Sequence, residues 1–174
     1  VFYVADMGEM IIPKYLNMIG KFGVISPTNN KPIFSNRWVI PILTSEGKVQ
    51  NLGGYSNVAD ERYVYGKAQY YLRRDTLYGL ENIRSAHELG YAALTEGITD
   101  TLRLRSLGIL NSFAMCGTHK SDKIMSQLGR LRYGVINIPD RDDAGESAVK
   151  NWVTNRYVTL HVHLSYKDVD EMLR

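Results

Sequence analysis

The sequence predicts an α/β protein in which a parallel sheet flanked by helices follows a smaller, basic, mixed α/β subdomain. In the second half of the chain, short apolar or β-branched runs alternate with segments of helical spacing, as in a parallel sheet covered by helices. The first half carries a hairpin signal and an excess of basic residues. With 174 residues, 44% of them hydrophobic, the chain can bury a core. We therefore expect two subdomains, residues 1–80 and 81–174.

The second half is expected to run β-α-β-α-β-α-β. The predicted strands are Tyr91–Thr95, Asn111–Cys116, Tyr133–Pro139 and Tyr157–Leu164. The predicted helices between them are roughly Thr99–Leu107, Lys120–Leu131 and Ala144–Thr154. Ligand sites in such sheets gather at the carboxyl ends of the strands. The residues that directly follow each run are therefore the first candidates for chemistry.

The first half has a different pattern. The runs Trp38–Leu43 and Lys48–Leu52 flank Thr44-Ser45-Glu46-Gly47, which predicts a β-hairpin with Gly in the turn. Gly53-Gly54 follows at once, and there we expect a sharp bend of the backbone. An amphipathic helix is a candidate at Lys14–Lys21. Residues 1–80 are therefore expected to form the smaller mixed subdomain.

The composition excludes several classes of protein. No apolar run approaches the ~20 residues that a membrane helix needs, and no signal segment is visible. A cytoplasmic location without a membrane partner is therefore expected. The single cysteine, Cys116, excludes a disulfide framework and a Cys-rich zinc site within this chain, and it is most simply a buried small hydrophobe. Because the chain begins with Val1 rather than Met, we expect a piece of a longer protein.

The basic residues are concentrated in the first half. Residues 1–80 hold nine Lys/Arg and six Asp/Glu, whereas residues 81–174 hold twelve of each. Four bases follow one another with no acid between them, interleaved with tyrosines: Arg62, Lys67, Arg73 and Arg74. Basic groups contact phosphates and aromatic faces stack on bases, so this stretch suits single-stranded nucleic acid. A solvated helix or strand edge with half-buried tyrosines would have the same composition.

Acidic motifs follow three of the predicted strands. They are Glu96-Gly97 with Asp100 one helical turn later, Asp140-Arg141-Asp142-Asp143-Ala144-Gly145, and Lys167-Asp168-Val169-Asp170-Glu171. Each motif by itself is more often a turn or a helix N-cap than a metal site. Neighbouring strands lie ~4.8 Å apart, however, so acids at adjacent strand ends would crowd and repel one another.

A hard divalent cation relieves such repulsion. Carboxylates without His or Cys ligands indicate Mg²⁺ or Mn²⁺ rather than zinc. The chemistry that such a site serves is phosphoryl transfer. The acid cluster therefore predicts a metal-dependent enzyme that acts on phosphates.

These motifs resemble the Toprim domain, which primases, topoisomerases and some nucleases share. The resemblance is closest to the DnaG-type primases. Glu96-Gly97-Ile98-Thr99-Asp100 resembles their Glu-Gly-Tyr-Met-Asp, and Asp140-Arg141-Asp142-Asp143-Ala144-Gly145 resembles their Asp-x-Asp-x-Ala-Gly. Lys167-Asp168-Val169-Asp170-Glu171 resembles their Lys-Asp-Pro-Asp-Glu, and Gly117-Thr118 resembles a family Gly-Thr. The fold that the resemblance implies is a Toprim-like parallel sheet.

The basic half shares the resemblance. Arg37-Trp38-Val39-Ile40-Pro41-Ile42 is similar to the family's Arg-x-x-Phe-Pro-Ile, and Gly53-Gly54 to its Gly-Gly. Arg62-Tyr63 stands where the family has Lys-Tyr. Tyr71-Leu72-Arg73 followed by Leu77-Tyr78-Gly79-Leu80 is similar to its Phe-x-Lys…Leu-Tyr-Gly-Leu. The family's Gly-Gly is usually followed by Arg, where this chain has Tyr55. Such divergence is typical of a phage or plasmid member.

The resemblance implies the catalytic core of a DNA primase, which makes short RNA primers on single-stranded DNA by metal-dependent nucleotidyl transfer. Glu96 would act near the attacking 3′-hydroxyl as metal ligand or general base, with Asp140 and Asp142 as catalytic metal ligands. Asp168 would complete the site. Asp100 would bind a second ion or instead pair with Arg103 or Arg105, and Asp170 is a candidate helix cap. The predicted contacts to template or nucleotide phosphates are Arg37, Arg62 and Arg73.

The implied partners are single-stranded DNA, ribonucleoside triphosphates, and a replicative helicase through regions outside this chain. Two alternatives stay open at this point. One is a Toprim-type metal-dependent nuclease, which uses a similar acid cluster; the similarity of the basic half to primases argues against it. The other is a catalytically silent nucleic-acid-binding module. Acids retained at all three sites argue against that alternative, because a bare acidic cluster repels nucleic acid.

Overall fold

The computed structural model of the chain describes residues 2–4, 24–26, 32–66, 75–116, 122–141, 159–162 and 164–172. The chain divides into two compact units: Val1–Thr44 with Lys48–Leu72, and Ser45–Gly47 with Arg73–Arg174. Several predictions fall outside the described residues: the helices Lys14–Lys21 and Ala144–Thr154, the Gly117-Thr118 motif, and the side chains of Lys67, Arg73, Arg74 and Asp142.

The first unit contains a four-stranded antiparallel sheet. Its strands lie in the order of the sequence: β1 Phe2–Val4, β2 Arg37–Leu43, β3 Val49–Tyr55 and β4 Tyr63–Tyr65. The predicted hairpin is confirmed, because β2 pairs with β3 and Thr44 N–H donates to Lys48 O at 2.8 Å across the turn. Gly47 in this turn has a φ of +77°, a conformation that favours glycine.

The bend predicted at Gly53-Gly54 is wrong. Both glycines lie inside β3, where Gly54 pairs with Val39 of β2 and Val64 of β4. Glycine is needed for a different reason: a Cβ on Gly54 would lie 2.6 Å from Cδ1 of Phe34 and 3.0 Å from Cγ2 of Val64. Phe34 is 1% exposed. The glycine therefore lets this buried ring lie directly against the strand.

Gly54→Ala is expected to lower the free energy of unfolding by about 1–3 kcal/mol, because the added methyl group would overpack the contact with Phe34. Urea unfolding measures this effect in four proteins: the parent, Gly54→Ala, Phe34→Leu and the double variant. The cost of Gly54→Ala should shrink in the Phe34→Leu background, where the ring is absent. An equal cost in both backgrounds would mean that the ring contact is not the cause.

The second unit contains the predicted parallel sheet. Its described strands lie in the order β6-β5-β7-β8, with β5 Tyr91–Thr95, β6 Ser112–Ala114, β7 Gly134–Ile138 and β8 Thr159–His161. All three strand pairs are parallel. The described helices are a 3₁₀ turn at Leu80–Asn82, α1 Ile83–Leu89, α2 Ile98–Ser106, α3 Asp122–Leu128 and α4 Val169–Met172. The prediction of an α/β fold with a parallel sheet flanked by helices is confirmed.

Helices cover both faces of this sheet. Alternate residues of a strand point to opposite faces, and β5 shows the consequence. Leu94 packs in a core with residues of α1 and α3, whereas Ala93 packs with Leu104 of α2 and Val169 of α4. This two-sided burial explains why β5 reads as a continuous apolar run.

Tyr78 extends the sheet with one antiparallel bridge to β6. Its N–H donates to Ala114 O at 3.0 Å, and its carbonyl accepts from Ala114 N–H at 3.1 Å. The Leu77-Tyr78-Gly79-Leu80 segment thus belongs to the second compact unit by its contacts. The functional division proposed after residue 80 stays a prediction. Within the described ranges, no helix is long and apolar enough to cross a membrane.

Candidate active site

Glu96 and Asp140 meet at the carboxyl ends of two neighbouring strands. Thr95, the last residue of β5, pairs with Ile138, the last residue of β7. The backbone N–H of Asp140 donates a hydrogen bond to Oε1 of Glu96 at 3.3 Å, although the two residues are 44 positions apart. The strand order thus brings two of the three acidic motifs together, as expected from the sequence.

The turn that carries Glu96 is fixed by its neighbours. The carbonyl of Glu96 accepts from Cys116 N–H at 3.3 Å, and the carbonyl of Thr95 accepts from Met115 N–H at 2.9 Å. Cys116 has a φ of +51°, uncommon for a residue other than glycine. Its side chain is buried, as predicted. The end of β6 therefore positions the backbone of Glu96.

Two threonines that no sequence motif singled out join β5 to α2. Thr95 Oγ1 and Thr101 Oγ1 lie 2.7 Å apart and are buried. Thr95 Oγ1 also donates to the carbonyl of Gly97 at 3.0 Å. One sequence signal could have identified them: a polar residue ends an apolar strand, and a second polar residue lies in the first turns of the next helix. Their contact fixes the Glu96-Gly97 turn against the start of α2.

Asp100 lies in the first turn of α2 and is 5% exposed. A carboxylate there is favoured by the positive end of the helix dipole. Arg105, one of the two partners considered for it, forms its ion pair with Glu81 instead, at 3.0 Å. The second-ion role of Asp100 stays a prediction.

Asp168 is the N-cap of α4. Its Oδ1 accepts from Glu171 N–H at 2.7 Å, and Oε2 of Glu171 accepts from Lys167 N–H at 2.8 Å. Asp170, the candidate cap from the sequence, lies inside the helix instead. Capping uses one carboxylate oxygen of Asp168, so a second role as metal ligand stays a prediction.

The third acidic motif is tied to the second. Arg141 N–H donates to the carbonyl of Lys167 at 2.7 Å, and Arg141 Nη1 donates to the carbonyl of Ser165 at 3.3 Å. The chain around Asp168 therefore lies beside the residue that follows Asp140. In the part of the chain that the structure describes, no three His, Cys, Asp or Glu side chains form a group that could hold a metal ion. Asp142 lies outside that part.

A second polar cluster surrounds Arg105 of α2. The side chain of Arg105 is 14% exposed and that of Glu81 26%. Arg105 Nη2 donates to the carbonyls of Gly79 at 3.3 Å and Ser112 at 3.0 Å, and the guanidinium carbon lies 5.3 Å from the ring centroid of Tyr78. Burial raises the pKa of Tyr78, which Arg105 opposes. The phenol therefore stays neutral near pH 7.

This cluster explains the glycine of Leu77-Tyr78-Gly79-Leu80. Gly79 has a φ of +97°. A Cβ at this position would collide with the guanidinium group of Arg105 and lie 2.9 Å from the carbonyl oxygen of Ser112. Only glycine combines this backbone conformation with so close an approach. The motif therefore marks the point where the segment before α1 joins α2 and β6.

The arginines predicted to bind phosphate differ in their surroundings. Arg37 Nη1 donates to the carbonyls of Glu61 at 2.8 Å and Arg62 at 3.2 Å, so Arg37 holds the connection between β3 and β4. The side chain of Arg62 is exposed. Arg73 lies outside the described residues. The phosphate contacts of Arg37, Arg62 and Arg73 stay predictions.

Comparison with known proteins agrees with this geometry. A Toprim-like family model matches residues 93–173. The DNA primase of Aquifex aeolicus is 34% identical over 134 residues, which cover 74% of this chain and 27% of that protein. The crystal structure of the zinc-binding and RNA polymerase domains of the Aquifex aeolicus primase superimposes with a TM-score of 0.78 at 28% identity, covering 97% of this chain and 46% of that one. In sequence and in fold the chain is similar to the DnaG-type primases.

The similarity in fold to primases covers both halves of the chain. A DnaG primase catalytic domain solved with bound single-stranded DNA has a TM-score of 0.76 at 21% identity and covers 94% of this chain. The family-model match includes Glu96, Asp140 and Asp168. The chain spans about a quarter of the length of the primases that it matches in sequence.

Proposed function

We propose that this chain is the catalytic core of a DNA primase, which synthesises short RNA primers on single-stranded DNA by metal-dependent nucleotidyl transfer. The observation that carries the proposal is the hydrogen bond that joins Glu96 to the backbone of Asp140 at the carboxyl ends of β5 and β7. In a parallel α/β sheet this edge is where ligands bind. The similarity to primases across both compact units supports primer synthesis over phosphodiester hydrolysis by a Toprim nuclease.

The paired acids fit a hard divalent cation. Their oxygen donors, without a neighbouring Cys or His in either motif, favour Mg²⁺ or Mn²⁺. Glu96, Asp140 and Asp142 would hold the ion, and Asp168 and Asp100 would complete its surroundings or hold a second one. When bound, the ion would neutralise the nucleotide phosphates and stabilise the charge that develops in the transition state.

The protein residues then have distinct roles. In nucleotidyl transfer the 3′-oxygen of the growing primer bonds to the α-phosphorus of the next nucleotide, while the bond to the leaving pyrophosphate breaks. The attacking hydroxyl loses a proton, and Glu96 would accept it or bind the ion next to it. The contacts of Thr95, Met115 and Cys116 fix the Glu96 turn, so the carboxylate needs little reorganisation when the substrate binds.

The template and nucleotides would bind through the basic residues Arg37, Arg62 and Arg73. The solved DnaG catalytic domain with bound single-stranded DNA supports this partner. Ribonucleoside triphosphates are the substrates that primer synthesis requires. A replicative helicase would be engaged through regions outside this chain.

Arg62→Ala and Arg73→Ala are each expected to weaken binding of single-stranded DNA. Each lost phosphate contact should also make the salt dependence of binding shallower, by about 0.7 in the log–log slope for single strands. Fluorescence anisotropy at several salt concentrations measures both quantities. Arg84→Ala is the control, because Arg84 is a highly exposed arginine of α1 that pairs with Glu88. Unchanged affinity and slope in both variants would remove the basic stretch from template binding.

Labelled ribonucleotide incorporation tests the proposed function. The chain is incubated with single-stranded DNA, ribonucleoside triphosphates, and either Mg²⁺, Mn²⁺ or a chelator. We expect template-dependent RNA products only with a divalent cation. Cleavage of the DNA without RNA synthesis would instead identify a nuclease.

A further inference from the structure

By register, four aromatic residues occupy one row across the sheet of the first unit, beginning with Tyr3 of β1 opposite Trp38, and the structure describes the side chains of the other three. Trp38 of β2 pairs directly with Tyr55 of β3, and Tyr55 pairs with Tyr63 of β4. Directly paired residues on antiparallel strands point to the same face, with Cβ atoms ~5 Å apart. The rings of Tyr55 and Tyr63 confirm the contact, because their centroids lie 5.1 Å apart at an interplanar angle of 46°. We call Trp38, Tyr55 and Tyr63 the aromatic ladder.

The aromatic ladder is accessible from solvent. Trp38 is 49% exposed, an unusual state for the largest apolar side chain, and both tyrosines are partly exposed. The next row on the same face has Gly53 at its centre, between Ile40 and Tyr65. Ile40 is 3% exposed and Gly53 is buried, so the accessible part of this face is the ladder row itself.

One exposed cation adjoins the ladder. Arg62 directly precedes Tyr63 and its side chain is exposed, as are those of Asp60 and Glu61 before it. From Arg62 to Arg74 the sequence contains four basic residues and no acid, and of these four the structure describes Arg62 alone. Aromatic faces beside basic groups are the combination that single-stranded nucleic acid requires, with bases stacked on rings and phosphates on cations. An apolar peptide would use the rings but not the charges.

We propose that the aromatic ladder is a stacking platform for unpaired bases of single-stranded DNA. The platform would be the surface that holds the template during primer synthesis, so this inference rests on the proposed function. Four-stranded antiparallel sheets that stack two or three bases on their face are a known recognition mode, and the ladder spans a similar width at ~4.8 Å per strand.

Oligonucleotides with and without bases separate stacking from charge. Anisotropy is measured for the whole chain without metal or nucleotide, on oligothymidine and on an abasic strand of equal length. We expect the parent to bind oligothymidine about tenfold or more tightly than the abasic strand, since stacking on one ring contributes ~1–3 kcal/mol per base. Trp38→Leu should remove most of this preference, while its affinity for the abasic strand and its salt slope stay unchanged. Trp38→Phe should restore it.

Two controls test whether a change in binding comes from the ladder itself. Tyr133→Leu removes an aromatic ring that is 59% exposed and lies beside Arg132, outside the ladder, and should change nothing. Unchanged binding of the abasic strand by Trp38→Leu shows that the variant is folded. If the ladder only stabilises the sheet, Trp38→Leu would lower the affinities for oligothymidine and for the abasic strand together, or would change neither. Either of these two results overturns the platform. Equal affinity of the parent for both strands, or no binding of either, also overturns it.

A failure of the stacking platform can be distinguished from a failure of the proposed function. If the parent incorporates ribonucleotides but shows no dependence on bases, the platform is wrong and primer synthesis stands. If the base preference depends on Trp38 but no RNA is made under any metal condition, the platform stands and the chemistry is wrong.

Discussion

Asp140→Asn is expected to reduce primer synthesis by several orders of magnitude without unfolding the protein. The loss follows because the metal ion supplies many kcal/mol of charge stabilisation in the transition state, and Asp140 is one of the groups that would hold it. Without metal, removing one carboxylate from a cluster of acids relieves repulsion. The melting temperature should therefore be equal to that of the parent or higher. Asp142→Asn should behave in the same way.

The paired measurement is thermal melting and nucleotide incorporation, each with and without Mn²⁺. The parent should be stabilised by Mn²⁺, because an ion that binds only the folded state raises its melting temperature, and both variants should lose this shift. Asp122→Asn, at an exposed aspartate in the first turn of α3, is the matched control and should behave as the parent. Variants that melt much lower without metal would show that the aspartates are structural. Variants that melt normally and still make primers would place the site elsewhere.

Arg105→Met is expected to lower the free energy of unfolding by about 2–4 kcal/mol, because it leaves Glu81 half-buried without its cation. The substitution also removes donors to the carbonyls of Gly79 and Ser112. Arg84→Met is the comparison, since the ion pair of Arg84 with Glu88 is exposed to solvent on both sides. That change should cost less than about 1 kcal/mol.

Urea unfolding of four proteins measures the Arg105 effect: the parent, Arg105→Met, Glu81→Gln and the double variant. Glu81→Gln should recover part of the loss in the Arg105→Met background, because the uncompensated charge is then absent. Equal costs for Arg105→Met and Arg84→Met would show that the cluster around Arg105 adds nothing beyond a surface ion pair.

The parts of the fold that follow from periodicity were predictable. The bounds of β5 agree with the sequence prediction, and the meeting of Glu96 with Asp140 follows from strand order alone. This success has a physical reason: apolar runs and helical spacing report local burial, and the carboxyl ends of adjacent parallel strands must share one edge. Which strands are neighbours was not part of the prediction: the order β6-β5-β7-β8, which sets β7 beside β5, comes from the structure.

The missed features depend on partners distant in sequence. Gly53-Gly54 signals either a bend or a close approach, and only the position of Phe34 decides between them. Arg105 and Glu81 are 24 residues apart, with β5 between them in sequence, so no local pattern pairs them. The hydrogen bonds from Nη1 of Arg37 to the carbonyls of Glu61 and Arg62 likewise join residues more than 20 positions apart. Such assignments require the tertiary structure.

Direct binding of Mn²⁺, followed by electron paramagnetic resonance of the free ion, tests the metal site without relying on catalysis. Titration up to millimolar Mn²⁺ gives the number of binding sites and their affinity. It is carried out on four proteins: the parent, Glu96→Gln, Asp140→Asn and the control Asp122→Asn. We expect saturable binding in the parent and the control that is lost or weakened at least tenfold in Glu96→Gln and Asp140→Asn, because each removes a charged oxygen ligand. Equal Mn²⁺ binding by all four proteins would contradict a metal site built on Glu96 and Asp140.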